Sequence, residues 1–292
     1  MTATRRRKLT GLLYVAPAVL FVAIFTAYPV AQLVSISFTN WSLLAPPKDV
    51  GLGNFTAAAN DAQFWSSLVY TLKYTILITP ILMVGGYVLA LLVATNSALR
   101  RTTRALIFIP VVIGLGVSSL LWVWLFDPIF GLINKALMDV GLITKPILWL
   151  GVETNLSTWA IITSVTWKVI GFGMLLFVAA IQAIPTEINE ATMVDGASFW
   201  QRTRSVTLPL TRRTVLLVTL VSVVGSLLAF DQFYIMTAGQ PFNETATAVF
   251  YIYLNSFHYL HLGYGAALSL ILAAIILVFT IVQMGLTRRS AI

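Results

Sequence analysis

No cysteine occurs anywhere in the chain, which leaves it neither a disulfide framework nor thiolate chemistry. Charge is scarce as well: Asp, Glu, Lys and Arg together make up 10% of residues. Histidine is almost missing. The two present, His258 and His261, are spaced i, i+3 without a third ligand type beside them, which is too few for a zinc centre. No serine-nucleophile motif accompanies them, so intramembrane hydrolysis has no residues to work with. A G-x-x-x-x-G-K-[ST] loop is also lacking, so a cradle for nucleotide phosphates is not encoded here. Nor is there a polar stretch long enough for a separate soluble domain, and we expect one integral domain over residues 1–292.

What is abundant is apolar surface. Hydrophobic residues make up 59% of the chain, and mean hydropathy is +0.91. A water-soluble domain does not tolerate such values. Apolar runs at about 12–36, 68–95, 105–126, 159–181, 214–237 and 265–285 each reach the ~20 residues a helix needs to cross the hydrocarbon. Lipid offers no partners for open backbone groups, so each run is expected to be helical. The expected fold class is all-α, with six transmembrane helices. The first run follows Arg5-Arg6-Arg7-Lys8 but is longer than a signal-peptide core, so it reads as a retained span that Pro17 and Pro29 should kink or break.

The formal net charge of +8 does not point to nucleic acid, because the basic residues sit in small clusters at the ends of apolar runs. Alternate loops hold thirteen Lys and Arg on one side, namely Arg5 to Lys8, Arg100, Arg101, Arg104, Arg202, Arg204, Arg212, Arg213, Arg288 and Arg289. The opposite loops hold only Lys48, Lys135 and Lys145. The positive-inside rule then puts both termini in the cytoplasm. Six tryptophans, Trp41, Trp65, Trp122, Trp124, Trp149 and Trp159, fall near the ends of the runs, where amphipathic rings favour the interface. Gly131–Gly141 has the apolar spacing of a short helix lying on the outer surface.

One stretch breaks the pattern. "EINEATMVDGASFWQRTRSVTLP", Glu187 to Pro209, holds three of the ten acidic residues between two apolar runs. Thr186 is placed to cap a first helix and Gly196 to end it. Ser198 with Gln201 forms a capping-box pattern opening a second helix, which Leu208-Pro209 should stop. Glu190 and Asp195 are five residues apart with no His nearby, an arrangement unsuited to acid–base catalysis. Apolar Ile188, Val194 and Trp200 beside small Ala191, Gly196 and Ala197 form a compact surface that another protein's groove could receive; a merely solvated loop is the plainer alternative.

This segment resembles the signature loop of the permease subunits of ABC-type carbohydrate importers, the maltose, trehalose and glycerol-3-phosphate type. That loop reads EAA, three residues, Gly, nine residues, Ile, one residue, Leu-Pro; here Glu190-Ala191-Thr192 leads at the same spacing to Gly196, Val206 and Leu208-Pro209. Thr and Val replace the second Ala and the Ile. "FDQFYIMTAGQP" and "GYGAALSLIL" also look like this subgroup. The resemblance implies a cytoplasmic coupling helix between the fourth and fifth spans, with Glu190, Ala191, Asp195 and Gly196 docking on an ATPase subunit and Leu208 and Pro209 fixing the return to the membrane.

It further implies partners: a second, related permease forming a heterodimer, two cytoplasmic ATPase subunits and an extracytoplasmic solute-binding protein. No cofactor belongs to this chain, since ATP and Mg would be bound by the ATPase subunits, and the chain itself would not be an enzyme. Its place would be the bacterial cytoplasmic (inner) membrane, as a multi-pass protein.

Charges within spans need partners or an aqueous cavity. Lys73 lies near a span end and can snorkel. Lys168, beside Trp167 and before a flexible Gly171-Phe172-Gly173, is open to a cavity role or an internal ion pair. Asp231, with Gln232 and Tyr234, offers carboxylate, amide and phenol to a hydroxyl-rich ligand; capping of a backbone break would explain Asp231 as well. Gly114, Gly116, Ser118 and Ser119 read as close helix packing. Two rival functions remain: an ion-coupled secondary transporter with Lys168 and Asp231 as its ion site, and an intramembrane enzyme.

Overall fold

The computed structural model describes residues 3–95 and 97–289. The side chains of Arg5 to Lys8, Arg288 and Arg289 and both chain ends lie outside the described set, and with them part of the charge pattern that oriented the chain. The described residues are 75% helical and form no strand, as an apolar chain without water to satisfy its backbone requires of its spans. They group into two compact units, one of residues 1–61 with 252–275, the other of 62–251 with 276–292.

The first unit begins with α1 (Ala3–Val22), which runs through a π-helical turn at Ala23–Ala27 into α2 (Tyr28–Ser37) without a break. Its apolar part, Leu13–Ser37, is 25 residues long, or roughly 37 Å at 1.5 Å per residue, enough to cross a bilayer. The expected interruption at Pro29 is absent. Proline lacks an N–H and its ring presses on the carbonyl four residues back. Here the π turn, in which Tyr28 N–H reaches Ala23, widens the helix just before Pro29 and makes room for the ring. The unit continues with α3 (Gly53–Ala59), whose Asn54 Nδ2 donates to the carbonyls of Ser37 and Thr39 at 2.8 Å each.

The second unit is built around α4 (Ala62–Val93) and α8 (Thr154–Gln182). Between them come α5 (Ala98–Val112), α6 (Leu115–Leu125) and α7 (Leu132–Asp139). Tyr70, Tyr74, Ile78 and Leu82 of α4 form an apolar core with Ile161, Ile162 and Val165 of α8 and Phe233 further along. Two hydroxyls on α4 are absorbed locally: Thr71 Oγ1 donates to Ser67 O and Thr75 Oγ1 to Thr71 O, which makes them harmless inside an apolar bundle. Gly171 is not a point of flexibility but a contact. A Cβ there would stand 2.5 Å from the carbonyl of Ile107 on α5, so its absence lets the two helices close on each other.

The third apolar run, 105–126, is not one straight helix. Ile113 and Gly114 are extended, and α5 and α6 meet at 98° across them. Pro110 sits in the last turn of α5 and Gly114 begins α6, the residue types at which helices break. α7 forms where Gly131–Gly141 was expected to be helical. It is pinned by Asn134, 1% exposed, whose amide donates to Ile147 O at 3.0 Å and whose oxygen accepts from Ile147 N–H and Trp149 Nε1. Trp149 and Trp122 are half-buried against the core, each ring against Phe126.

Beyond α8 the chain forms α9 (Thr186–Val194), α10 (Phe199–Arg202), a π turn at Thr203–Thr207, α11 (Leu208–Leu210) and α12 (Arg212–Leu227). The fifth run is split: α12 ends at Leu227, Phe230 leaves helical angles, and α13 (Asp231–Met236) follows. α14 (Ala248–Tyr253) and a π turn at Leu254–His258 lead to α15 (Leu262–Arg289). Among the described residues four helices are long and apolar enough to cross a membrane, or up to six if each sharply bent pair, 98–125 and 199–227, counts as one span.

Candidate functional site

The polar interruption folds into the two-helix corner its residues indicated. α9 ends in a Schellman arrangement: Asp195 is the last capping residue, Gly196 takes φ +72°, its N–H reaches Met193 O at 3.1 Å, and Ala197 N–H reaches Thr192 O at 3.1 Å. Ser198 then opens α10 with a complete capping box to Gln201. Two local expectations need correction. Thr186 is not the cap of α9 but its first helical residue, because Pro185 already turns the chain in, and no side chain caps that end. Leu208-Pro209 does not stop the second helix, which runs on to Leu210. As at Pro29, a π turn with Leu208 N–H bonded to Thr203 O absorbs the ring, and the stop falls at Thr211, where the chain bends by 73° into α12.

Glu190, Ala191, Asp195 and Gly196 are all exposed on this corner, as are Leu208 and Pro209 on the return. Between them stand apolar side chains with little cover: Val194 is 88% exposed and Trp200 72%, the latter edge-on to Phe199 at 5.7 Å. Three acids, Glu187, Glu190 and Asp195, lie in or just after α9, and Arg202 and Arg204 lie further along the chain. Exposed apolar side chains among charged ones are a composition that interface centres share.

The second feature is a cleft of about 250 Å³ among α4, α8, α12 and the break before α13. Its walls are apolar, but Asp231 and Gln232 lie at one end with Ser222, Ser226 and Tyr74. Gln232 Nε2 reaches Tyr74 OH at 3.5 Å, and Ser226 Oγ donates to Thr75 Oγ1 at 3.0 Å. Thr247 Oγ1 donates to the freed carbonyl of Ala229 at 2.7 Å, which keeps the break satisfied. Asp231 stands in the first turn of α13, where a carboxylate suits the positive end of a helix.

The structure brings Asp231 and Gln232 to the cleft but not the other two candidates. Tyr234 stacks on Phe230 at 5.4 Å and 11°, outside the lining itself. Lys168 Nζ donates at 3.2 Å to Val111 O, in the last turn of α5 beside the break. It is a cation on the carbonyl end of a helix, neither an internal ion pair nor a cleft residue. Tyr74, Ser222 and Ser226 were missed because they sit within apolar runs, where only folding reveals that they share one wall. No group of three metal-ligating side chains occurs among the described residues.

An apolar helical bundle whose long helices can cross a bilayer is the build of an integral membrane protein. Residues 49–291 match the family model described as binding-protein-dependent transport system inner membrane component, and the chain belongs to that family. It is thus a multi-pass membrane permease subunit of an ABC transporter, not an enzyme; ATP hydrolysis is carried by partner subunits. Curated relatives include a probable starch degradation products permease of Thermoanaerobacterium thermosulfurigenes, 31% identical over 96% of this chain and 94% of the relative. A sulfoquinovosyl glycerol permease of Agrobacterium fabrum is 32% identical over 96% and 91%, and a trehalose/maltose permease of Thermococcus litoralis 30% identical over 95% and 93%. The fold matches that of a chain in a bacterial alginate ABC transporter solved with an alginate pentasaccharide-bound periplasmic protein, with a TM-score of 0.85 at 22% identity over 97% and 96%. None of these relatives supports an ion-coupled carrier.

Proposed function

We propose that this chain is one half of the path for a sugar or sugar-like solute, paired with a second, homologous permease and driven through the 186–209 segment by two cytoplasmic ATPase subunits. The observation that carries the reading is the exposed apolar knob of Val194 and Trp200 on a glycine-turned corner between two long apolar stretches. The relatives named for starch products, trehalose/maltose and sulfoquinovosyl glycerol support a carbohydrate cargo. An extracytoplasmic binding protein would deliver it. Six spans, with α5 and α6 together crossing once, α12 and the stretch after it crossing once, and both termini cytoplasmic, fit this arrangement. ATP-driven closure of the ATPase pair moves the docked corners, and the bundles rock to expose the path to alternate sides.

Asp231 and Gln232 present polar groups to that path, Tyr234 lies behind the Phe230 ring, and Lys168 serves the path only by holding the α5 end. The reading is tested by replacing Glu190 with Arg in the tagged full complex. Loss of ATPase co-purification and of ATP-dependent uptake, with membrane insertion and permease pairing retained, is expected. Unchanged co-purification and uptake would remove the segment from the coupling route.

A further inference from the structure

The docking segment leaves the bundle after Gln182 and rejoins it at Thr211; the return is tied to α4 itself and the exit to Ala94, the residue directly after it. At the exit from α8, Gln182 Nε2 donates to Ala94 O at 2.7 Å. At the return, the Thr211 hydroxyl, 2% exposed, donates to Thr207 O at 2.8 Å and so accepts from Tyr87 OH at 3.2 Å. Tyr87 is itself held edge-on by Phe177 of α8, with centroids 5.0 Å apart. Thr211 is the corner of the 73° bend, so the Tyr87 bond grips the segment where it would otherwise hinge.

The end of α4 is made stiff by a third group. Its last carbonyls have no partner within the helix. Arg104 of α5 takes the last of them, Val93 O, through Nε at 2.7 Å, and one terminal nitrogen donates to the two carbonyls just past the helix, Ala94 O at 3.1 Å and Thr95 O at 3.0 Å. A guanidinium at the negative end of a helix, bonded to three successive carbonyls, is a strong and directional cap. Ala94 O therefore receives both Arg104 and Gln182, which joins α4, α5 and α8 at the point where the docking segment departs.

We infer that Gln182, Tyr87 and Thr211 are positioning residues for coupling: they mount the docking segment at both of its ends on α4 and the residue directly after it, so that α4 moves with it. This rests on the segment being the ATPase-docking element. Without the mounts, the residues between α8 and α9 and the bend at Thr211 would act as free hinges, and work done on the corner would be lost there.

The test uses the full complex with its partner permease and ATPase subunits. This chain has no native cysteine, so Glu187→Cys and Val88→Cys can carry spin labels, with the partner subunits made free of thiols. Both sites are exposed. In the otherwise unaltered chain, the distance between the labels is expected to stay within about 2 Å, the scale of packed-helix shear, between the nucleotide-free and the MgADP-vanadate-trapped states. In the combined Tyr87→Phe and Gln182→Met variant it is expected to shift beyond that or broaden, with ATPase subunits still co-purifying. Thr211→Ser keeps the hydroxyl and should behave as the unaltered chain; Thr211→Val should not.

A large distance change in the unaltered chain, or a combined variant indistinguishable from it, overturns the inference. Failure of the ATPase to co-purify with the unaltered permease would instead overturn the docking reading, and the inference with it.

Discussion

Gly196 offers the sharpest test of the docking corner, because its role is separable from its surface. It holds φ +72°, and a Cβ built on it meets nothing within 4 Å. A substitution there brings no clash, only backbone strain: a side chain with Cβ in the left-handed region costs about 1–2 kcal/mol, less for Asn and more for a β-branched residue. If the docked geometry requires this angle, the strain is drawn from the binding equilibrium or released by reorienting α10. A penalty of that size reduces the population of the competent corner about 5- to 30-fold.

The series Gly196→Asn, Gly196→Ala and Gly196→Val should therefore weaken ATPase binding in that order, Asn staying within about threefold of the native residue and Val falling by an order of magnitude or more. Titrating the purified ATPase onto the permease pair in nanodiscs reads the affinity directly. The reasoning fails if Val binds as well as Gly. It also fails if Asn and Val lose affinity equally, since then the added atoms and not the angle are at fault.

Gly171→Ala should separate α5 from α8, because its Cβ would lie 2.5 Å from Ile107 O; a loss of about 1–3 kcal/mol is expected from thermal unfolding in detergent, against none for Gly285→Ala, where a Cβ meets open space. Asn134→Ala removes three hydrogen bonds from a site 1% exposed and should destabilise by about 2–4 kcal/mol, with Asn134→Asp less damaging because the acceptors remain. Asp231→Asn should lower solute uptake without changing ATPase co-purification; a variant that instead fails to assemble would make Asp231 a structural residue at the helix break.

The all-α class and the places of the apolar helices were legible from the apolar runs, because lipid leaves a backbone no other option. The corner at Gly196 and the Ser198–Gln201 box were legible too, since both bonds close within three or four residues and depend on nothing further away. Hydropathy, by contrast, sums along the chain and carries no direction. It could not show that the third run turns through 98° at Ile113 and Gly114, nor that the fifth stops at Leu227.

Those breaks leave backbone carbonyls open, and their partners come from distant sequence: Lys168 for Val111 and Thr247 for Ala229. Proline misled for a related reason. Its ring and missing N–H were read as a kink or break at Pro29 and a stop at Pro209, whereas a π turn ahead of each lets the helix run on. The sequence by itself determined which stretches are apolar and where the exposed corner bends. Only the tertiary structure decided how the helices break and what holds the corner to α4, because those outcomes rest on hydrogen bonds between residues tens to more than a hundred positions apart, which no local pattern encodes.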